Sequence, residues 1–159
     1  MAYTIRWGSP EDAPAIQALI QELAEYERAP DAVDTTPESL RQDGFGNDPC
    51  FRVFVAEDDK AGVVGIALYF IGYSTWKGRM LYLDDLVVRE QFRGSGIGRA
   101  LLDSVMEQAK VEKAKVVCWQ VLDWNTPAID FYKKIGATFQ TDWYNCRIYE
   151  EGIEGWNKN

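Results

Sequence analysis

The sequence of 159 residues contains no histidine, and this absence excludes several kinds of chemistry. A Ser-His-Asp or Cys-His nucleophile and a zinc site with histidine ligands all require an imidazole. Proton transfer near neutral pH must therefore use carboxylates, tyrosine, cysteine, lysine or water. Cysteine is also scarce, since Cys50, Cys118 and Cys146 are too widely spaced for a zinc ribbon and suggest no disulfide framework. We expect no bound metal and a reducing, cytoplasmic location.

Long apolar runs are missing as well. No stretch approaches the roughly 18 residues of a membrane-spanning helix. The first residues, Met-Ala-Tyr-Thr-Ile-Arg, lack the apolar region of a signal peptide. We therefore expect no membrane partner. With 47% hydrophobic and 13% aromatic residues, the chain is still apolar enough to fold, and its length predicts one domain over residues 1–159.

Positive charge is in short supply, with 17 basic residues against 25 acidic residues and a net charge of −8. A protein that binds duplex nucleic acid normally presents a basic face, so nucleic acid is not an expected partner. The acidic excess lies entirely in residues 1–60, which hold 13 Asp/Glu and 5 Lys/Arg, whereas residues 61–159 hold 12 of each. Solvated acidic helices explain this pattern. The sharper hypothesis is that the N-terminal third receives a cation.

Hydrophobic periodicity and turn residues predict ten elements in the order β-α-α-β-β-β-α-β-α-β. The predicted strands are residues 3–7, 51–57, 63–73, 80–88, 116–122 and 144–149. The predicted helices begin after Ser9 as N-cap, at Thr36, after a glycine cluster near residue 97, and at Pro127. The strands at 80–88 and 116–122 need a crossover and should be parallel, while the preceding meander is antiparallel. This order indicates an α/β domain whose mixed, mostly antiparallel sheet is flanked by helices.

The glycine cluster, residues 93–99 with the sequence Arg-Gly-Ser-Gly-Ile-Gly-Arg, lies between a predicted strand and a predicted helix. Backbone N–H groups at such a helix N-terminus, together with the helix dipole, favour a phosphate or pyrophosphate. A glycine turn that only reverses the chain is the alternative. A P-loop would need four residues between its glycines, and a dinucleotide fingerprint would need GxGxxG after an early strand. The cluster matches neither.

Residues 93–98 resemble the R/Q-x-x-G-x-G/A pyrophosphate loop of the GNAT (Gcn5-related) N-acetyltransferases, and the predicted element order resembles that fold. Further segments are similar to the sequences of one subfamily. These segments are residues 23–27, 43–46, 73–79, 81–85, 123–125 and 131–133. The ordered set covers roughly residues 3–150. It resembles the diamine (spermidine/spermine) acetyltransferase family, in particular its thialysine N-epsilon-acetyltransferase branch.

The resemblance implies a single-domain GNAT fold that binds acetyl-CoA where two central strands splay apart. The implied cofactor contacts are main-chain groups of Leu86, Val87 and Val88, the loop residues Arg93, Gly94, Ser95, Gly96, Ile97, Gly98 and Arg99, and Asn125. Asn125 is also interpreted as the cap of the helix at Pro127, a role that stabilises a helix whatever the function. The family further implies a homodimer.

The implied reaction is attack of a neutral amine on a thioester, so the site must bind a cation and remove its proton. Tyr132 matches the family's general acid, although an aromatic on an amphipathic helix is the structural alternative. Asp84 aligns with a glutamate that binds the acceptor amine and helps to deprotonate it through water. Because aspartate is one methylene shorter, Asp85 is an alternative. Successive strand residues face opposite sides unless a bulge intervenes, and Asp84 is the preferred candidate.

The resemblance also implies acceptor contacts on three segments. Tyr26 and Glu27 match a pair at the end of the first helix, where Glu27 engages a distal ammonium or is simply exposed. Trp76 is implied to wall the acceptor channel. Cys118 and Trp119 fall at a substrate-lining segment or belong to the strand core.

Three hypotheses follow. The first is an acetyl-CoA-dependent N-acetyltransferase acting on a small cationic amine, with thialysine or a lysine-like amino acid favoured because Ser74 replaces an acid of the spermidine branch. The second has a diamine or polyamine acceptor such as putrescine or spermidine. The third is a non-catalytic CoA-binding regulatory module, against which Tyr132 and Asp84 argue.

Overall fold

A computed structural model of the protein describes residues 2–156. Contacts within the chain divide it into a larger unit that ends at Gln120 and a smaller unit that begins at Val121. The prediction of one domain over residues 1–159 stays a prediction. Among the described residues, no helix combines the length and apolar character needed to cross a bilayer.

The larger unit is a five-stranded sheet with helices. Its elements are β1 (Tyr3–Trp7), α1 (Ala13–Tyr26), α2 (Pro37–Phe45), β2 (Arg52–Asp58), β3 (Gly62–Ser74), β4 (Gly78–Val88), α3 (Ile97–Val111) and β5 (Val116–Cys118), with 3₁₀ turns at Pro10–Asp12 and Glu90–Phe92. The strands lie in the order β1-β2-β3-β4-β5. Neighbours from β1 to β4 are antiparallel and β5 is parallel to β4, which confirms the predicted mixed, mostly antiparallel sheet.

The start of α1 is stabilised by an ion network rather than by a simple serine cap. Ser9 precedes the 3₁₀ turn, and its N–H donates to Asp12 Oδ2 at 2.8 Å. Arg6 of β1 donates to both oxygens of Asp12, at 2.7 and 2.9 Å, and to Glu57 of β2 at 2.7 Å. The Arg6 hydrogen bond is the main reason that the pKa of Asp12 is lowered. The helix is therefore attached to two strands at its first turn.

Helices cover both faces of the sheet. Ile16 and Leu19 of α1 pack in one cluster with Ile66 and Leu68 of β3. Gly65, which neighbours Ile66 and so faces the other way, approaches α3 so closely that a Cβ would lie 3.2 Å from Leu101 and 3.3 Å from Ile97. The α1 and α2 helices thus lie on one face and α3 on the other.

The smaller unit contains α4 (Thr126–Lys134) and α5 (Glu150–Glu154). The predicted strand at residues 144–149 is wrong, because this segment has no strand pairing. Tyr144, Ile148 and Tyr149 are 95%, 54% and 73% exposed. The alternating pattern supplied strand propensity, but a strand also needs a partner for its backbone groups, which no local pattern supplies. The strand predicted at 116–122 likewise ends early, at Cys118.

Candidate active site

The pairing of β4 with β5 ends halfway along β4, where β5 itself ends. Three cross-strand pairs join them: Met80 with Val116, Leu81 with Val117 and Tyr82 with Cys118. β4 continues to Val88. In the larger unit, as far as the structure describes it, the outer edge of β4 beyond Tyr82 has no ladder partner. The main-chain groups from Leu86 to Val88 lie on this outer edge, and their contact with a cofactor, which the resemblance implies, stays a prediction.

The glycine loop lies directly before α3. Gly94 and Gly96 adopt left-handed conformations, with φ of +75° and +88°, and Gly96 is the N-cap of the helix. The helical ladder begins with the N–H of Ala100, which donates to Gly96 at 3.0 Å, so the preceding N–H groups lie outside the ladder. Exposed N–H groups at the positive end of a helix of 15 residues fit an anionic pyrophosphate.

Arg93 connects this loop to α1 and β4. Its Nε donates to the carbonyl of Val88 at 3.0 Å, and its guanidinium lies over the ring of Tyr26 at 5.2 Å from the centroid. Tyr26, the last residue of α1, is thereby held beside the segment that leads into the glycine loop. Sequence reasoning missed this contact because the two residues are far apart in the chain and share no local motif.

A bulge in β4 decides how the neighbouring carboxylates are arranged. Leu83 pairs with Tyr69 and Asp85 pairs with Leu68, so Asp84 is an extra residue between them. Cross-strand partners share a face, and Leu68 belongs to the core beneath α1. Asp85 therefore lies on the α1 side of the sheet and is half-buried, whereas Asp84 is exposed.

Three carboxylates act on one another at this place. Loss of hydration, followed by the charges of Asp84 and Glu27, raises the pKa of Asp85 to about 7. Glu27 follows the last residue of α1, and partial loss of hydration raises its pKa as well. A carboxylate with a pKa near neutrality is suited to accept a proton at physiological pH. Of the two acids, Asp85 has this property, whereas Asp84 is the residue preferred from the sequence.

Tyr132 and Asn125 lie in the smaller unit. Tyr132 is on α4 and only 8% exposed, and burial raises the pKa of its hydroxyl. It therefore keeps its proton at neutral pH and is a competent donor. Asn125 Oδ1 accepts the N–H of Ala128 at 3.4 Å, which confirms its interpretation as the cap of α4.

The structure does not bring every predicted acceptor residue to the carboxylates. Trp76 is 83% exposed in the turn between β3 and β4. At the usual rise per strand residue, Gly78 and Asp85 are about 20 Å apart along β4, so Trp76 is remote from Asp85. Cys118 ends β5 and Trp119 follows it, both half-buried, and burial raises the pKa of the Cys118 thiol. Their predicted substrate contacts stay predictions.

Comparison with known proteins gives the family and the fold of the chain. The profile of the acetyltransferase (GNAT) family matches residues 16–137. The thialysine N-epsilon-acetyltransferase of Bos taurus is 41% identical over 159 residues, which cover 94% of each chain. The spermidine/spermine N(1)-acetyltransferase-like protein 1 of Homo sapiens is 33% identical over 160 residues, which cover 95% of this chain and 23% of that one. An integron cassette protein of V. cholerae has the same fold, with a TM-score of 0.77, 24% identity and coverage of 97% and 96%.

The mixed sheet flanked by helices, with a glycine loop before α3, is an α/β fold. The chain belongs to the GNAT acetyltransferase family. The predicted fold class and the prediction of an N-acetyltransferase are therefore confirmed.

Proposed function

We propose that the protein transfers the acetyl group of acetyl-CoA to the primary amine of a small cationic acceptor, preferably thialysine or a lysine-like amino acid. The observation that carries this proposal is the cluster of Asp85, Asp84 and Glu27, in which one carboxylate titrates near neutrality. Such a cluster attracts a cation and can then remove its proton. The 41% identity to an enzyme named for thialysine supports the choice of acceptor.

We assign the cofactor to the outer edge of β4 beyond Tyr82 and to the glycine loop. Bound acetyl-CoA supplies the acetyl group as an activated thioester. The main chain from Leu86 to Val88 would hold its extended arm, and the N–H groups of residues 94–99 would hold its pyrophosphate, with Arg99 adding positive charge. The side chain of Arg93, which the resemblance also assigns to the cofactor, is held against Val88 and Tyr26, so we leave it out of the pyrophosphate site. Asn125 keeps its predicted cofactor contact as part of this proposal, beside its role as a cap.

Two side chains of the protein transfer protons, Asp85 as the acceptor and Tyr132 as the donor. A primary amine with a pKa near 10 arrives protonated, and the Asp85 carboxylate accepts its proton, directly or through a water molecule. Asp84 and Glu27 hold the incoming positive charge beside it. When the amine bonds to the acetyl carbon and the bond from that carbon to sulfur breaks, the Tyr132 hydroxyl would supply the proton that the leaving sulfur takes up. No imidazole is needed in this scheme.

If the glycine loop binds acetyl-CoA, the Gly96→Ala variant should bind it more weakly. Its φ of +88° disfavours any Cβ, although the nearest atom to that Cβ, Tyr3 Oη, is at 3.7 Å and causes no clash. The backbone must shift to relieve about 1–2 kcal/mol of strain, which misaligns the N–H donors. We expect the dissociation constant of acetyl-CoA, measured by calorimetry, to rise about tenfold, since one hydrogen bond to a charged group is worth at least that factor.

Gly62→Ala is the matched control for this prediction. Gly62 has a φ of +71° and open space around its Cβ position, but it lies at the turn before β3. We expect a similar loss of stability and an unchanged dissociation constant. Equal dissociation constants of acetyl-CoA in Gly96→Ala and Gly62→Ala would show that the glycine loop does not bind the cofactor.

A substrate panel tests the proposed function as a whole. Release of CoA would be measured with thialysine, lysine, putrescine and spermidine at matched concentrations. We expect the highest kcat/KM with thialysine. A higher value with putrescine or spermidine would establish the second candidate, a diamine or polyamine acetyltransferase, which the similarity to a spermidine/spermine acetyltransferase-like protein supports. Tight acetyl-CoA binding without any turnover would instead indicate a regulatory module.

The homodimer and the cytoplasmic location implied at the sequence level stay predictions. Sedimentation velocity of the purified chain would test the first, and fractionation of the source cells would test the second.

A further inference from the structure

A cavity of about 460 Å³ lies in the larger unit, between the end of α1 and the chain that follows β4. It is next to the carboxylate cluster in the chain, because Tyr26 lines it and Glu27 is the following residue. Its charges are mixed rather than uniformly acidic. The residues on which the argument depends are Glu22, Glu25, Tyr26, Arg89, Glu90 and Arg93.

Arg89 presents an unsatisfied donor in this region. Its Nε is buried and has no hydrogen-bond partner among the described residues. Glu22 Oε1 is 3.7 Å away, which is an ion pair but too long for a hydrogen bond. This nitrogen is enclosed by the protein, but the Arg89 side chain as a whole is 30% exposed and lines the cavity. A ligand oxygen in the cavity would therefore meet a guanidinium group whose partners in the protein are incomplete.

Arg93 is a second cation held in a defined orientation. The hydrogen bond to Val88 and the ring of Tyr26 restrict its guanidinium before any ligand arrives. Two guanidinium groups at one cavity suit a carboxylate. The carboxylates of Glu25 and Glu90 on the same walls suit an ammonium.

We propose that this cavity binds the α-amino acid head group of the acceptor, with the α-carboxylate at Arg89 and Arg93 and the α-ammonium at Glu25 and Glu90. The inference rests on the proposed function, in which the side-chain amine of the same molecule goes to the Asp85 cluster. A diamine keeps the ammonium that Glu25 and Glu90 would hold but has no carboxylate for the two arginines. The cavity therefore selects an amino acid over a diamine by the contact that only the α-carboxylate makes.

The test compares thialysine with the diamine formed by its decarboxylation, which differs only in the α-carboxylate. In Arg89→Gln we expect kcat/KM for thialysine to fall about 10- to 100-fold, mainly through KM, because a charge-assisted contact of this kind is worth that factor. The diamine should be used as well as by the wild type or better. Arg89→Lys, which keeps the charge, should restore part of the preference for thialysine.

Arg41→Gln is the matched control, since Arg41 is an exposed arginine that pairs with Glu38 at 3.3 Å on α2, away from the cavity. It should leave both acceptors unaffected. An equal loss for the two acceptors in Arg89→Gln would show a structural role for Arg89, and a raised dissociation constant for acetyl-CoA would show that the cavity serves the cofactor. Either result overturns the proposal.

Binding measurements separate this proposal from the proposed function. Calorimetric titration of the enzyme with thialysine, in the presence of CoA, does not require turnover. Weaker binding in Arg89→Gln supports the cavity even if the wild type acetylates neither acceptor, a result that would refute the proposed function alone. Unchanged binding in Arg89→Gln overturns the cavity assignment whatever the activity.

Discussion

The Tyr132→Phe variant is expected to lose about 100- to 10,000-fold in kcat, the range typical of a general acid. Tyr132 is only 8% exposed, and burial raises the pKa of its hydroxyl, so the group is protonated throughout the physiological range. Phenylalanine keeps the ring and removes only the donor. The dissociation constant of acetyl-CoA and the thermal unfolding midpoint should therefore stay close to those of the wild type.

The control for this prediction is Tyr144→Phe, which removes a hydroxyl from a residue of the smaller unit that is 95% exposed. It should leave kcat unchanged. The pH profile adds an independent measurement, because a general acid must be protonated and the raised pKa of Tyr132 keeps it so well into alkaline solution. If Tyr132→Phe retains its kcat, Tyr132 has no part in the mechanism and the structural interpretation of this buried aromatic is correct.

The Asp85→Asn variant is expected to lose about 100-fold or more in kcat/KM for the acceptor, since the proton acceptor is removed. In the wild type, kcat/KM should fall as the pH is lowered through about 7, where Asp85 becomes protonated. The variant should lack this acidic limb. The measurement is kcat/KM for thialysine between pH 5 and 9 in buffers of constant ionic strength.

The same substitution should make the protein more stable above neutral pH. The folded-state pKa of Asp85, about 7, is above the value of about 3.9 expected in the unfolded chain. Between these values the folded state binds a proton that the unfolded state does not, so stability falls as the pH rises through this window. Asparagine has no charge to bury, so this loss of stability is absent in the variant. Urea unfolding at pH 8 should show a free energy of unfolding that is higher than that of the wild type by up to about 4 kcal/mol.

Asp84→Asn distinguishes the two acids. Asp84 is exposed on the bulge, and its charge is one cause of the raised pKa of Asp85. Removing that charge should shift the acidic limb to lower pH, with a smaller loss of kcat than in Asp85→Asn. If Asp84→Asn instead abolishes the acidic limb, Asp84 is the proton acceptor and the preference drawn from the sequence was correct.

The local sequence predicted most elements of the larger unit. Helix α1 and strands β3 and β4 have clear periodicities and turn residues at their ends, and the structure places them within a few residues of the predicted positions. The segment 144–149 has a similar alternation and is not a strand. The difference is pairing, because β3 has β2 and β4 on either side, whereas no strand pairs with 144–149.

The candidate site also depends on contacts between distant segments, which the local sequence does not reveal. The glycine loop was predictable because all its groups are consecutive in the chain. The choice between Asp84 and Asp85 was not, since it depends on a bulge that exists only in the pairing of β4 with β3. The orientation of Arg93 over Tyr26 likewise depends on how the end of α1 meets the segment after β4.

The absence of histidine, the acidic N-terminal third and the glycine loop are properties of the chain alone, and they excluded imidazole chemistry and favoured a phosphate-binding loop and a cationic partner. Acetyl transfer came from the resemblance of ordered segments to the GNAT family. Folding added the partly desolvated surroundings of Asp85, the outer edge of β4 that β5 leaves unpaired beyond Tyr82, and the mixed-charge cavity at Arg89. Each of these arises from groups that are distant in the sequence. Hydration, cross-strand register and the distance between charges are relations between segments, and the order of residues does not specify them until the segments pack.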